Sequence, residues 1–179
     1  MQSRSLLAGV ENLDMAAVAR VAQKAILEEI YLNDAKISRD LRGIPPKAIT
    51  LKHKCSTKVL PLEKDKNILS IICNFHVTAF DKKEPDKIFM NIEASFCISY
   101  ILEDIEGFNP NDIKHFSKIN PIYNVWSYWR EFVQSMTTRI GFPALTVPLL
   151  KIMPKKSVEK EAKRQPAKRK PTQRKKLSA

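Results

Sequence analysis

Residues 120–148 read NPIYNVWSYWREFVQSMTTRIGFPALTVP. Apolar side chains recur through the first half at the spacing of one helical face, which predicts an amphipathic helix from about residue 120 to residue 140. Asn120 and Pro121 suit the start of that helix, as N-cap and first helical residue, and Gly141 suits its end as a left-handed cap. The predicted apolar stripe consists of Ile122, Val125, Trp126, Trp129, Phe132, Val133, Met136 and Ile140.

The second half of this stretch is apolar but contains two prolines, Pro143 and Pro148. Proline lacks the N–H group that helix interiors and central strands require. We therefore expect the segment from Phe142 to Leu150 to lie extended across the surface of the domain.

Four strand-like stretches precede the helix, at about residues 27–40, 48–60, 67–80 and 87–103. In the second stretch, Lys52, Lys54 and Lys58 share one face, and mostly apolar side chains alternate with them on the other. A period of two with lysines outward is typical of a half-buried antiparallel strand. The polar link 81–86 predicts a hairpin between the third and fourth stretches.

Two further segments complete the outline of the chain. Residues 13–26 carry apolar side chains at helical spacing, with a possible N-cap among Asn12-Leu13-Asp14, and so predict an amphipathic helix. Residues 104–118 are interpreted as a connection, because Gly107 and Asn109-Pro110 are turn signals.

The positive charge of the chain is concentrated at its C-terminus. The whole chain has 31 Lys and Arg against 19 Asp and Glu, a net charge of +12, and residues 154–179 hold 11 of those bases and only 2 of the acids. This segment has too few apolar residues to offset the entropy of ordering, so it is predicted to be a disordered polybasic tail. Such a tail attracts polyanions, although a purely solubilising role is an equally good interpretation.

The predicted C-terminal helix and the segment that follows it resemble a known protein family. A helix carrying Tyr128-Trp129-Arg130-Glu131-Phe132-Val133 is followed by Phe142-Pro143-x-Leu145-x-Val147-Pro148. This pattern, after four long antiparallel strands, resembles the protein-export chaperone SecB and its SecB-like relatives over about residues 27–150. The spacing to the second proline matches the SecB-like relatives better than SecB itself.

The resemblance implies an α+β fold, with a four-stranded antiparallel sheet and helices packed on one face. It also implies dimers or tetramers and ATP-independent holding of unfolded or precursor polypeptides in hydrophobic grooves. Export members of the family hand those clients to the SecA motor, and some relatives protect an antitoxin.

An extended proline-rich segment lying on a sheet suits the wall of such a groove, because it cannot itself complete a strand ladder. The candidate groove residues are Phe142, Leu145, Val147 and Leu149. The helix residues interpreted as core or subunit interface are Trp126, Trp129, Phe132, Val133 and Met136.

Three departures from the export pattern favour holding over delivery to SecA. Export SecB is acidic, whereas residues 1–153 here carry a small positive excess; the basic tail has no family counterpart; and the N-terminal helix is extra. We accordingly divide the chain into an N-terminal extension (1–26), a SecB-like domain (27–153) and the tail (154–179).

Other classes of function lack their sequence signals. The four glycines are at least 34 residues apart, which excludes the dinucleotide fingerprint and the Walker A loop. Cys73 and His76 fall on opposite strand faces, and His53 with Cys55 supplies only two of the four ligands that a structural zinc needs. We therefore expect no enzyme, no cofactor and no metal. No apolar run approaches the length of a membrane span, and a cytoplasmic protein is expected.

The sequence leaves two classes of function open. The first is a SecB-like chaperone that binds unfolded polypeptides, either in protein export or beside a toxin–antitoxin pair. The second is a polyanion- or nucleic-acid-binding protein that acts through residues 154–179.

Overall fold

The computed structural model of the chain describes residues 13–40, 49–83, 86–103 and 107–150. The predicted polybasic tail at 154–179 lies outside the described residues, as do Asn12 and the middle of the predicted hairpin link.

Three helices and four strands make up the described fold, with one 3₁₀ turn at Lys64–Lys66 before the third strand. The strands form one antiparallel sheet in the order β1-β4-β3-β2. The predicted α+β class and the four-stranded antiparallel sheet are confirmed. The elements are α1 (Met15–Ala22), β1 (Ala25–Arg39), β2 (Ile49–Val59), β3 (Ile68–Asp81), β4 (Ile88–Leu102), α2 (Pro110–Ser117) and α3 (Asn120–Arg139).

The alternation of the two central strands explains where the core lies. Every second residue of β3 and β4 is buried on the face against α3, while the other face mixes polar and apolar side chains. Residues of equal parity share one face of a strand, so this pattern fixes the register with which the helices cover the sheet. The buried residues of that face are Leu69, Ile71, Cys73, Phe75, Val77, Ala79, Met90, Ile92, Ala94, Phe96, Ile98, Tyr100 and Leu102.

The predicted connection at 104–118 contains a helix, α2 (Pro110–Ser117), so the interpretation of Asn109-Pro110 as a turn signal is wrong. Asn109 accepts a hydrogen bond from the amide of Asn111 at 2.9 Å and acts as N-cap, with proline at the first position. The Asn-Pro pair that was interpreted as a turn therefore starts a helix. The burial of Phe116, whose ring packs edge-on against Tyr100 at 5.1 Å, anchors that helix to the sheet.

The long helix starts differently from the prediction. Asn120 lies inside α3, the N-cap position falls on Ile119, and no side chain caps the helix there. Asn120 instead donates to the hydroxyl of Tyr100 at 3.5 Å, as Asn124 does at 2.9 Å. The Tyr100 hydroxyl thus has two amide donors, of which Asn124 is the closer, and the predicted N-cap role of Asn120 is wrong. At the other end Gly141 has φ +79°, so the predicted left-handed cap is confirmed.

The N-terminal helix is shorter than the predicted range 13–26, because β1 already begins at Ala25. Asp14 caps α1 by accepting from the amides of Ala16 and Ala17 at 2.9 and 3.1 Å. Arg20 of α1 binds Asp112 of α2 through both carboxylate oxygens, at 2.8 and 3.0 Å. This ion pair joins helices α1 and α2.

Candidate functional site

The segment after α3 runs back along that helix. Three side chains of α3 form hydrogen bonds with main-chain groups of the segment. The amide of Leu145 donates to Thr137 Oγ1 at 3.0 Å, and Arg130 Nε donates to the carbonyl of Val147 at 2.8 Å. Trp126 Nε1 donates to the carbonyl of Pro148 at 3.0 Å. Because these partners move toward the start of α3 as the segment advances, the segment is antiparallel to the helix.

The four candidate groove residues differ in exposure. Val147 is 0% exposed and belongs to the core, whereas Leu149 is 65% exposed. Phe142 and Leu145 are partly buried against the core, and the Arg39 guanidinium lies 5.2 Å from the centre of the Phe142 ring. Phe142, Leu145 and Leu149 are thus the members of the set with accessible surface.

The predicted stripe of α3 lies in the core of the single chain. Trp129 is 1% exposed and stacks on Phe75 with ring centres 5.3 Å apart, while Trp126 meets the same ring edge-on at 5.9 Å. Phe132 and Val133 are also buried, and Met136 is partly buried against the same cluster. This aromatic packing fixes the position of α3 and hence of the extended segment.

Sequence reasoning missed two exposed aromatic side chains of α3, which are five residues apart and so lie on different sides of the helix. Tyr123 is 58% exposed and Tyr128 is 49% exposed. Both fall off the buried stripe, so helical periodicity alone could have marked them as outward-facing. A shallow hollow of about 210 Å³ lies between α3 and the extended segment, lined by Ser127, Arg130, Glu131, Gln134, Thr146 and Val147.

The middle of the sheet face away from the helices carries a cluster of polar side chains. A hollow of about 460 Å³ there is lined by residues of all four strands, including Asp34, Lys54 and His76. His76 is hydrogen-bonded to Asn91 and, at 2.8 Å, to Thr78, while Asn91 Nδ2 donates to Glu93 at 2.7 Å. These side chains satisfy one another, as is typical of a solvated sheet face.

Burial shifts the pKa of several titratable side chains of the sheet. Burial raises the pKa of the Cys55 thiol to about 11 and that of Cys73 to about 12, so both are protonated at neutral pH. Burial also lowers the pKa of His53. Within the part of the chain that the structure describes, no three His, Cys, Asp or Glu residues lie close enough together to hold a metal ion. None of the described helices is long and apolar enough to cross a membrane.

The fold is that of a solved chaperone structure. The Rv1957 SecB-like chaperone of Mycobacterium tuberculosis, in complex with a ChAD peptide from the Rv1956 HigA1 antitoxin, superposes with a TM-score of 0.69. That match covers 77% of this chain and 99% of the other, at 15% sequence identity. The chain has a SecB-like fold. The helix and strand order that the sequence resemblance implied is thereby confirmed at the level of fold.

A second solved structure is less similar. A protein of unknown function from Streptococcus agalactiae matches with a TM-score of 0.37 and 11% identity, over 70% of this chain and 97% of the other. No family model and no curated protein matches the chain.

Proposed function

We propose that this protein is an ATP-independent molecular chaperone that binds extended segments of unfolded polypeptides. The observation that carries the proposal is an accessible apolar surface beside the extended segment of a SecB-like fold. Leu149 is 65% exposed, and Phe142 and Leu145 add partly buried surface. Tyr123 is 58% exposed and shares a face of α3 with Ser127, which lines the hollow beside the segment. Large apolar side chains that stay exposed in this way typically mark interaction sites.

The anchoring of the segment supports the same proposal. Three hydrogen bonds to α3 hold residues 145–148 in an extended conformation. A rigid extended wall presents its side chains without a large loss of conformational entropy when a client binds, which favours affinity. The activity proposed is holding; transfer of clients to SecA draws no support from the slightly positive residues 1–153.

Aggregation suppression tests this function. A chemically unfolded client of low net charge is diluted into buffer with the full-length protein or with residues 1–153, at low and at high salt. Suppression near one-to-one stoichiometry by both proteins, persisting at high salt, is expected, because burial of apolar surface is not screened by salt. Suppression that needs residues 154–179 and disappears in salt would instead assign the activity to polyanion-type attraction by the tail.

The proposal includes a homo-oligomer that packs through β1. Four apolar side chains of this edge strand are exposed, between 46% and 63%: Ile26, Leu27, Tyr31 and Leu32. We expect the double variant Leu27→Ser/Leu32→Ser to lower the mass measured by light scattering to that of a smaller species. Ile88→Ser, which removes an equally exposed side chain elsewhere on the sheet, is the control and should leave the mass unchanged.

A toxin–antitoxin role is the second candidate. It is favoured by the antitoxin peptide bound to the SecB-like chaperone whose fold this chain shares. If a toxin–antitoxin pair is encoded beside this gene, co-expression of the chain is expected to keep that antitoxin soluble. A neighbourhood without such a pair would leave general holding as the function.

A further inference from the structure

Strand β2 is a regular edge of the sheet. It pairs with β3 residue for residue from Ile49 to Val59 without a register shift, whereas the pairing of β1 with β4 is interrupted by two bulges. Among the described residues, β3 is the only strand beside β2. A long unbroken edge presents main-chain N–H and C=O groups to another extended chain, and bulges disrupt that row. The β2 edge is therefore the better template for strand addition.

The outer face of β2 is positively charged. Lys52, Lys54 and Lys58 are all exposed on the sheet face away from the helices. At a rise of about 3.3 Å per residue, Lys52 and Lys54 are about 7 Å apart, and Lys58 follows about 13 Å further along the strand. Side chains at alternate positions of a strand paired with β2 also repeat about every 7 Å, so they can lie opposite these lysines.

No acid in the described part of the chain forms an ion pair with these three lysines. The residues of β3 that pair with them are Thr78, His76 and Ile72. The Lys52 ammonium lies 4.5 Å from the centre of the Phe80 ring, and this cation–π contact holds it on the outer face. Like charges opposite one another destabilise paired strands, so the β2 strand of a second copy is a poor occupant.

We propose that the β2 edge binds an extended polypeptide segment in which acidic and apolar residues alternate. The main chain of the segment adds a fifth strand beside β2, and its acidic side chains meet Lys52, Lys54 and Lys58. Its apolar side chains fall on the other face, beside Leu51 and Val59. This inference rests on the proposed function, because it names the polypeptides that the chaperone selects.

The same lysines also disfavour the binding of strands that are not acidic. Lysine on an edge strand discourages unselective strand pairing, which is how many sheets avoid aggregation. A neutral or basic strand must bury or oppose these ammonium groups, whereas an acidic strand in register neutralises them. The same three side chains therefore reject most strands and accept one class.

The test compares two peptides of identical composition with the full-length protein. One is an eleven-residue peptide in which Val and Glu alternate, and the other has all its Glu residues grouped at one end. Fluorescence anisotropy at physiological salt is expected to show about tenfold tighter binding of the alternating peptide, from three cross-strand charge pairs. The basic tail attracts both peptides equally, because they carry the same charge, so only pairing in register with β2 can distinguish them. Equal affinities would therefore overturn the inference.

Two triple variants locate the site. Lys52→Gln/Lys54→Gln/Lys58→Gln is expected to weaken the alternating peptide about tenfold, by loss of the same charge pairs. Lys82→Gln/Lys83→Gln/Lys114→Gln removes the same charge at exposed positions elsewhere and should change the affinity less than about twofold. Equal losses in the two variants would overturn the inference, since they would reflect net charge alone.

Peptide N-methylation tests the strand pairing itself. Alternate amides of an added strand point toward β2 and toward solvent, so only one of two peptides methylated at alternate residues should lose binding. If neither methylated peptide lost affinity, the inference would be overturned. It would also be overturned if the same lysines bound a single-stranded oligodeoxythymidylate of equal charge more tightly than the alternating peptide.

The aggregation assay keeps the two proposals apart. Failure of the wild-type protein to protect a client of low net charge would contradict the proposed function. Wild-type protection together with equal binding of the two Val/Glu peptides would contradict the β2 inference alone.

Discussion

The Arg130 guanidinium of α3 donates from Nε to the main-chain carbonyl of Val147 at 2.8 Å, which ties the extended segment to the helix. Arg130 is partly buried, and the side chain of Val147 is fully buried below the contact. A hydrogen bond from a charged donor to a partly desolvated carbonyl contributes more than one between neutral groups.

We expect Arg130→Met to lower the free energy of unfolding by about 1.5–3 kcal/mol, because it leaves the Val147 carbonyl without its donor. The segment near residues 142–150 should also become more sensitive to limited proteolysis. Urea unfolding and mass spectrometry of the cleavage sites measure the two effects. Glu131→Gln, at the adjacent exposed position, is the control; equal sensitivity of both variants would contradict the anchoring role.

Strands β2, β3 and β4 could be predicted from the sequence because each alternates with a period of two, whereas β1, which is interrupted by two bulges, has no such regular pattern. The predicted ranges of the four strands agree with the observed ones to within two residues at each end. The exact start of β1 was harder to predict, since Ala25 and Ile26 suit a helix face as well as a strand. Pairing of Ile26 with Ile101 of β4 decides in favour of the strand. Local periodicity cannot predict this contact, because the two residues are far apart in the sequence.

The errors have the same origin in tertiary structure. The sequence pattern around Asn109-Pro110 is common to turns and helix starts, and the burial of Phe116 against Tyr100 selects the helix. Asn120 has the residue type of an N-cap but is used by the Tyr100 hydroxyl. For the candidate site, the two prolines predicted an extended segment on the surface but could not distinguish buried Val147 from exposed Leu149.

Stability is expected to fall as the pH rises above about 9. Burial raises the pKa of Cys55 from 9.0 to about 11 and that of Cys73 from 9.0 to about 12, and it also raises that of Tyr100 above 10.0. Above pH 9 the unfolded chain therefore binds fewer protons than the folded chain at these groups, so the free energy of unfolding decreases with pH.

The variant Cys73→Ala tests this titration. Its free energy of unfolding, measured by urea titration from pH 8 to about pH 12, should fall less steeply than that of the wild type, because one titrating thiol is missing. Tyr123→Phe removes an exposed phenol and serves as the control. A Cys73→Ala curve parallel to the wild type would show that the buried thiol does not contribute.

Helix α1 is expected to be an integral part of the domain. Val21 is 0% exposed and Val18 is 7% exposed, and Arg20 joins α1 to Asp112 of α2. Val21→Ala removes about two buried methylene equivalents and should lower the free energy of unfolding by about 2 kcal/mol. Met15→Ala, at a position that is 54% exposed, should change it by less than about 0.5 kcal/mol. Equal small effects would indicate that α1 is a dispensable extension of the domain.

The contrast between Val147 and Leu149 separates client binding from stability within one segment. Leu149 is 65% exposed, so Leu149→Ser is expected to leave the free energy of unfolding within about 0.5 kcal/mol of the wild type. It should nevertheless weaken suppression of client aggregation several-fold, because it removes apolar surface from the proposed binding site. Val147→Ala is expected to do the reverse: it lowers stability by about 2 kcal/mol through loss of buried side-chain volume, and below the unfolding temperature it changes suppression little. Urea titration and light scattering on the same preparations measure both quantities. If Leu149→Ser suppressed aggregation as well as the wild type, clients would bind elsewhere on the domain.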